Sequence, residues 1–152
     1  MRSLKYLFFS ITLLSSKFTF PDDSSSINNI INAYYEVISG PAGFQYDSER
    51  DSNLHAEGAI ITRFTENGEF QRHDLPEEQK FLGEEYSEGL YEIEVSRKTD
   101  EYGNIAHVWS KFEMRKSPKK EAYMTGINSI SLFFRDGRWW IASWSTQYEK
   151  VN

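Results

Sequence analysis

Glu36, Glu113 and Tyr35, with Asn128 as a hydrogen-bond donor, are the residues of this chain that could move a proton. A carboxyl held in an apolar cavity has its pKa raised, which brings it into the range of acid–base work near neutrality. None of these residues stands at a diagnostic spacing from another. Glu36 falls on the solvent side of its predicted helix, and Asn128 could simply pair with a loop. The three histidines, His55, His73 and His107, form no i, i+4 or His-x-His pair, so no metal site is expected. The chain has no cysteine, which removes thiolate ligands, Cys nucleophiles and disulfides. No Gly-rich phosphate loop, nucleophile elbow or Ser/His/Asp arrangement is present, and no cofactor is expected.

The elements that would position these groups follow from periodicity. Ser24 to Ser26 supply a helix N-cap, and Ile27, Ile30, Ile31, Tyr34 and Val37/Ile38 recur at helical spacing until Gly40-Pro41. Asp47 can cap a second short helix anchored by Leu54 and broken by Gly58. Ala59 to Phe64 reads as a strand, followed by an Asn67-Gly68 turn signal. Leu75-Pro76-Glu77-Glu78 starts a third helix, with Phe81 and Leu82 as its expected buried residues. The period then changes to two over residues 90–98, 105–115, 127–135 and 139–148. In 105–115, Ala106, Val108, Ser110, Phe112 and Met114 share one face, and His107, Trp109, Lys111, Glu113 and Arg115 share the other. Strand 139–148 carries rings on both faces. Trp139, Ile141, Ser143 and Ser145 alternate with Trp140, Ala142, Trp144 and Thr146, which suggests a face covered by a second copy.

Helices followed by a run of strands argue an α+β fold. The expected architecture is cone-shaped, with the helices packed on a strongly curved antiparallel sheet. At 152 residues with 39% hydrophobic and 16% aromatic content, the chain can close one core. A net charge of -6 makes it a poor partner for nucleic acid. Residues 1–20 have the layout of a signal peptide, with Arg2 and Lys5 before the apolar run Tyr6 to Leu14, then Ser15 and Ser16. That run is too short to span a bilayer, so no stable membrane anchor is expected. The expectation is a secreted or periplasmic protein with residues 21–26 as a linker and 27–149 as the domain.

Four stretches resemble the nuclear transport factor 2-like superfamily, also called SnoaL-like or ketosteroid-isomerase-like. They are Tyr34-Tyr35-Glu36-Val37-Ile38-Ser39-Gly40-Pro41-Ala42-Gly43, Tyr102-Gly103-Asn104-Ile105-Ala106-His107-Val108-Trp109-Ser110, Gly126-Ile127-Asn128-Ser129-Ile130-Ser131-Leu132 and Asp136-Gly137-Arg138-Trp139-Trp140-Ile141-Ala142-Ser143. Together they look like a bacterial branch of uncharacterised members of that fold, over roughly residues 27–149. Such proteins usually carry an aromatic-Pro-Asp stretch after the second helix. Here Leu54-His55-Ala56-Glu57-Gly58-Ala59 stands in its place, so His55 is a substitution at that corner.

The resemblance implies a cone that hosts isomerases, dehydratases or plain binding modules. The expected ligand-binding residues are Tyr34, Tyr35, Ser110, Phe112, Asn128 and Trp139, lining a mostly apolar pocket for a small apolar ligand. Two functions fit: an exported binding or interaction module, acting as a homodimer, or a small isomerase or hydrolyase using a buried carboxylate or His with Tyr. A lone ionisable group with a donor in reach would favour the enzyme.

Overall fold

The computed structural model describes residues 22–84 and 86–151; the export segment expected at 1–20 lies outside them. The order is α1 (Ile27–Ile38), α2 (Ser48–Leu54), β1 (His55–Phe64), β2 (Phe70–Asp74), α3 (Leu75–Leu82), β3 (Tyr91–Tyr102), β4 (Ile105–Arg115), β5 (Met124–Arg135) and β6 (Arg138–Lys150). The strands form one sheet in the order β2-β1-β6-β5-β4-β3. The four-strand meander is as expected, but the sheet is mixed. The strand β1 runs parallel to β6, because α2 ends beside the meander and delivers the chain along its last strand. No helix among the described residues is long and apolar enough to cross a membrane.

The hairpin partner β2 had no counterpart in the sequence reading, which stopped at the Asn67-Gly68 turn. Gly68 takes φ 83° there, and the chain returns as an edge strand whose side chains are mostly exposed. An edge strand without a buried face shows no hydrophobic alternation to find.

Helix α1 is capped by Ser26, whose hydroxyl accepts from the Asn29 N–H. Its buried stripe of Ile27, Ile30, Ile31, Tyr34, Val37 and Ile38 lies over the sheet. Beyond it, the Ser39 hydroxyl accepts from the Glu92 N–H at 3.1 Å, and Gly40 and Leu90 exchange backbone hydrogen bonds of 2.7 and 2.9 Å. The end of α1 is thus strapped to the start of β3. A Cβ at Gly40 would run into the Phe44 ring. Ser24, in the expected linker, is buried, and its carbonyl accepts from the Trp139 N–H at 2.9 Å.

Three irregularities decide which side chains face inward. Opposite Ser131 and Leu132, strand β6 places Ser143 and Ile141, so Ala142 is an extra residue. Trp139 and Ile141 before it, and Trp144 and Thr146 after it, therefore share the inner face. Strict alternation had put Trp144 with the outer set; it is 2% exposed, stacked on Tyr34 with centroids 3.8 Å apart. The proposed role of Trp144 in an outer contact is corrected accordingly, while Trp109 does lie outward. Gly58 does not break a helix. Helix α2 has already ended at Leu54, and Gly58 at φ 75° sits in the register shift of β1 that faces the Ala142 bulge. In β3 the extra residue is Val95, between Glu94 and Ser96.

With those shifts, one row crosses the inner face from β3 to β1: Arg97, Ser110, Asn128, Thr146 and Arg63. A second row holds Thr99, Val108, Ile130, Trp144 and Ile61. Under α1 the core is therefore aliphatic and aromatic on one side of a polar stripe. Gly126 lets the Phe112 ring lie against bare backbone, since a Cβ there would come within 2.5 Å of the ring.

Trp144 joins α1 to the sheet, so its truncation should leave a cavity the surrounding strands cannot close. Trp144→Ala should lower stability by about 3–5 kcal/mol, read from urea denaturation. A change under about 1 kcal/mol would contradict the buried placement.

Candidate functional site

Asn128 sits at the centre of the polar row with no exposure. A buried amide costs stability unless its hydrogen bonds are made. Its Nδ2 donates to Glu92 Oε1 at 2.9 Å and to the Tyr35 hydroxyl at 3.0 Å. Its Oδ1 accepts from Thr146 Oγ1 at 2.7 Å. Tyr35 Oη and Ser110 Oγ are 2.7 Å apart, and Ser110 donates to Glu94. Since the one Ser110 proton goes to Glu94, the Tyr35 hydroxyl donates to Ser110. Arg97 closes the chain, holding Glu94 through Nε and Nη2 and reaching Asn28 and Asn32 on α1.

Glu92 is the one carboxyl in this network without a cationic partner at contact distance. Burial pushes it up from 4.5 to about 7, against the Asn128 hydrogen bond and the more distant Arg63 charge, which favour the ionised form. Only its Oε1 is engaged by protein. Burial, reinforced by the charge on Glu92, raises Tyr35 well above the usual tyrosine range.

Glu92 borders an enclosed cavity of about 50 Å³ inside the cone. Tyr34, Arg63, Glu78, Thr146 and Tyr148 are among the groups around it. Glu78, on α3, is ion-paired to Arg63 and lies 3.0 Å from His73 Nδ1. The Tyr34 and Tyr148 hydroxyls make no hydrogen bond to any described residue. The cavity is therefore bordered by two carboxyls, one of them paired, by two tyrosine hydroxyls with spare donors, and by a guanidinium engaged by Glu78. The rest of the cone is filled by Trp144, Phe112, Tyr34 and Tyr148, and what space remains is more polar than the apolar pocket expected.

Of the six residues expected at the site, Tyr35, Ser110 and Asn128 come together in one hydrogen-bonded chain. Phe112 packs beside it, edge-on to Tyr148 at 5.8 Å. Tyr34 reaches the cavity from α1. Trp139 stands apart at the other end of β6, against Phe134.

The other acid candidates are elsewhere. Glu36 is exposed and bonded to Arg50, and Glu113 is tied to Arg115. His55 is buried edge-on to Tyr34, with Nδ1 3.0 Å from the Asp51 carbonyl oxygen, and it does not line the cavity. His107 pairs with Ser129. Among the described residues no group of three or more His, Cys, Asp or Glu could hold a metal ion.

Sequence reasoning missed Glu92, Glu94, Arg63 and Glu78. In Tyr91-Glu92-Ile93-Glu94 the alternation favours turning the apolar set inward, and the structure does the reverse. In α3 the expected buried Phe81 is 55% exposed, and Glu78 takes the inner position with Leu82.

The Glu92 carboxyl has a folded pKa raised above its unfolded value. Its contribution to stability is present below about 4.5 and is lost as pH rises through about 7. Glu92→Gln should remove this dependence. The stability difference between wild type and variant, followed by urea denaturation from pH 4 to 8, should shift by about 3 kcal/mol in the variant's favour. A pH-independent difference would show that the carboxyl is not held in this environment.

No protein-family model matches the chain, and no curated protein sequence does. Solved structures do resemble it. A nuclear transport factor 2-like protein from Silicibacter pomeroyi superposes with a TM-score of 0.61 at 13% identity, over 81% of this chain and 92% of that one. A candidate ketosteroid isomerase from Shewanella frigidimarina gives 0.58 at 19% identity, over 82% and 95%. A candidate dehydratase of the same fold family from Streptomyces avermitilis gives 0.59 at 12% identity, over 86% and 96%. Architecture, strand order and these superpositions agree: the chain has the nuclear transport factor 2-like fold.

Proposed function

We propose that this protein is a small acid–base enzyme of the isomerase or hydrolyase kind, in which Glu92 takes and returns the proton. The observation that carries the reading is the Glu92 carboxyl itself. It is buried, faces an enclosed cavity, and is balanced by one amide donor instead of a cation. A carboxyl poised near neutrality is suited to both halves of a proton transfer. A binding module would need only aromatic and aliphatic walls, and this lining has more. The ketosteroid-isomerase and dehydratase descriptions of two structural neighbours support the same chemistry.

In this reading the Glu92 carboxylate removes a proton from a carbon next to a carbonyl. The electron pair of the broken C–H bond moves to the carbonyl oxygen, giving an enolate, and Glu92 becomes the neutral acid. Where the substrate carries a β,γ double bond the enolate is a dienolate, and return of the proton to its γ-carbon, with the double bond moving next to the carbonyl, completes an isomerisation. Loss of a β-hydroxyl as water, with the proton supplied by Glu92, completes a dehydration. Asn128 holds the carboxyl in place from behind, and the row through Tyr35 and Ser110 keeps that amide in one orientation.

The test uses a simple ketone. In heavy water the protein should speed deuterium uptake at the α-carbon of butanone, followed by proton NMR. The rate should rise with pH through about 7 as Glu92 ionises, then level off. Glu92→Gln should slow it on the order of a hundredfold or more. Exchange no faster than in buffer, or equal in the variant, would refute the assignment.

A further inference from the structure

An enclosed cavity of about 50 Å³ admits a reacting group of a few atoms but not the body of a substrate. Outside it lies a surface pocket of about 250 Å³. Phe81, Leu82 and Leu90 line both spaces. What separates them is side chain. We propose that the two spaces form one site, entered past Phe81, for a neutral amphiphile with a compact carbonyl head and an unbranched apolar body. Placing the head inside rests on the acid–base reading of Glu92.

The three dividing residues are not equally fixed. Leu82 is buried in the core cluster, and Leu90 is pinned by its backbone pair with Gly40. Phe81 is the next-to-last residue of α3 and is 55% exposed. Its ring lies over the Arg63 guanidinium, 5.2 Å from centroid to Cζ, covering the inner cavity. A rotamer change of one exposed ring joins the two spaces, with no backbone movement.

The lining sets the ligand class. Inside, the Tyr34 and Tyr148 hydroxyls offer free donors to a carbonyl oxygen. Outside, Phe81, Leu82, Leu90 and Tyr86 make the wall apolar. Gly89 leaves bare backbone there, since a Cβ would meet the Lys116 carbonyl oxygen. At the rim, Glu88 is paired with Lys116 at 2.9 Å, and Glu84 adds a further negative charge, so an anionic tail is disfavoured. The rival route is the open cleft between α1 and β3, lined by Tyr35, Glu36, Glu92, Ile93 and Glu94. It is acidic, and Glu92 meets it on a strand whose backbone N–H is held by Ser39, while the carboxyl is bonded inward to Asn128.

The experiment is calorimetric titration of the full chain with straight-chain methyl ketones from butanone to decanone. Affinity should rise about fourfold per added methylene until the outer pocket is full, then level. Phe81→Trp, which enlarges the plug, should weaken binding of the longer ketones about tenfold, while Ile93→Trp in the rival cleft should leave it unchanged. Affinity independent of length, the opposite pattern in the two variants, or no binding by any ketone would overturn the proposal. Length-dependent binding without α-proton exchange would keep the shared site and remove the acid–base reading. Exchange without length dependence would do the reverse.

Discussion

The buried amide of Asn128 is the constraint around which the inside of this protein is organised. An amide at the centre of a sheet must find partners for two N–H groups and a carbonyl, or it destabilises the fold by a few kcal/mol. Here each partner comes from a different element: Glu92 from β3, Tyr35 from α1, Thr146 from β6. Satisfying one side chain thus fixes how the helix sits on the sheet and how β3 approaches β5. The extra residue at Val95 serves the same end, since it lets Glu92 and Glu94 point inward while Arg97, further along, also reaches the inner row.

Two acids share the interior and are treated differently by their surroundings. Glu78 has Arg63 and His73 at hand, so its charge is met where it lies. Glu92 has an amide and empty space. The contrast is what separates an ion pair that holds α3 on β1 from a group with chemistry left to do. Arg63 couples the two acids, because the guanidinium that binds Glu78 also pulls against the upward shift of Glu92.

Much of the frame was legible in the sequence. The Ile27 to Ile38 stripe, the cap at Ser26 and the alternating faces of Ile105 to Arg115 follow from local periodicity, and the structure keeps them. The central network was half legible: Tyr35, Ser110 and Asn128 could be picked out as polar residues on predicted inward faces. Glu92 could not. Its inward aim depends on partners 36 and 53 residues away in sequence, on β5 and just past α1, and no local pattern carries that. Phe81 misled for the matching reason. An apolar residue in a helix is expected to be buried, whereas this one is largely exposed, with its ring against the Arg63 guanidinium. In β6, one inserted residue was enough to invert the reading of Trp144.

That inserted residue bears on how the chain can change over time. Around Ala142 the two halves of β6 are out of phase, and β1 carries its own irregularity at the facing position. Replacing Ala142 by another residue keeps the phase. Losing it would leave Ser143 directly after Ile141 in plain alternation, with Trp144 and Thr146 still inside, whereas losing a residue elsewhere in the strand would turn one of its inward side chains to water. Strand β6 should therefore accept a change of length at its bulge but hardly anywhere else, so that among descendants of this chain gaps in the strand would gather at Ala142.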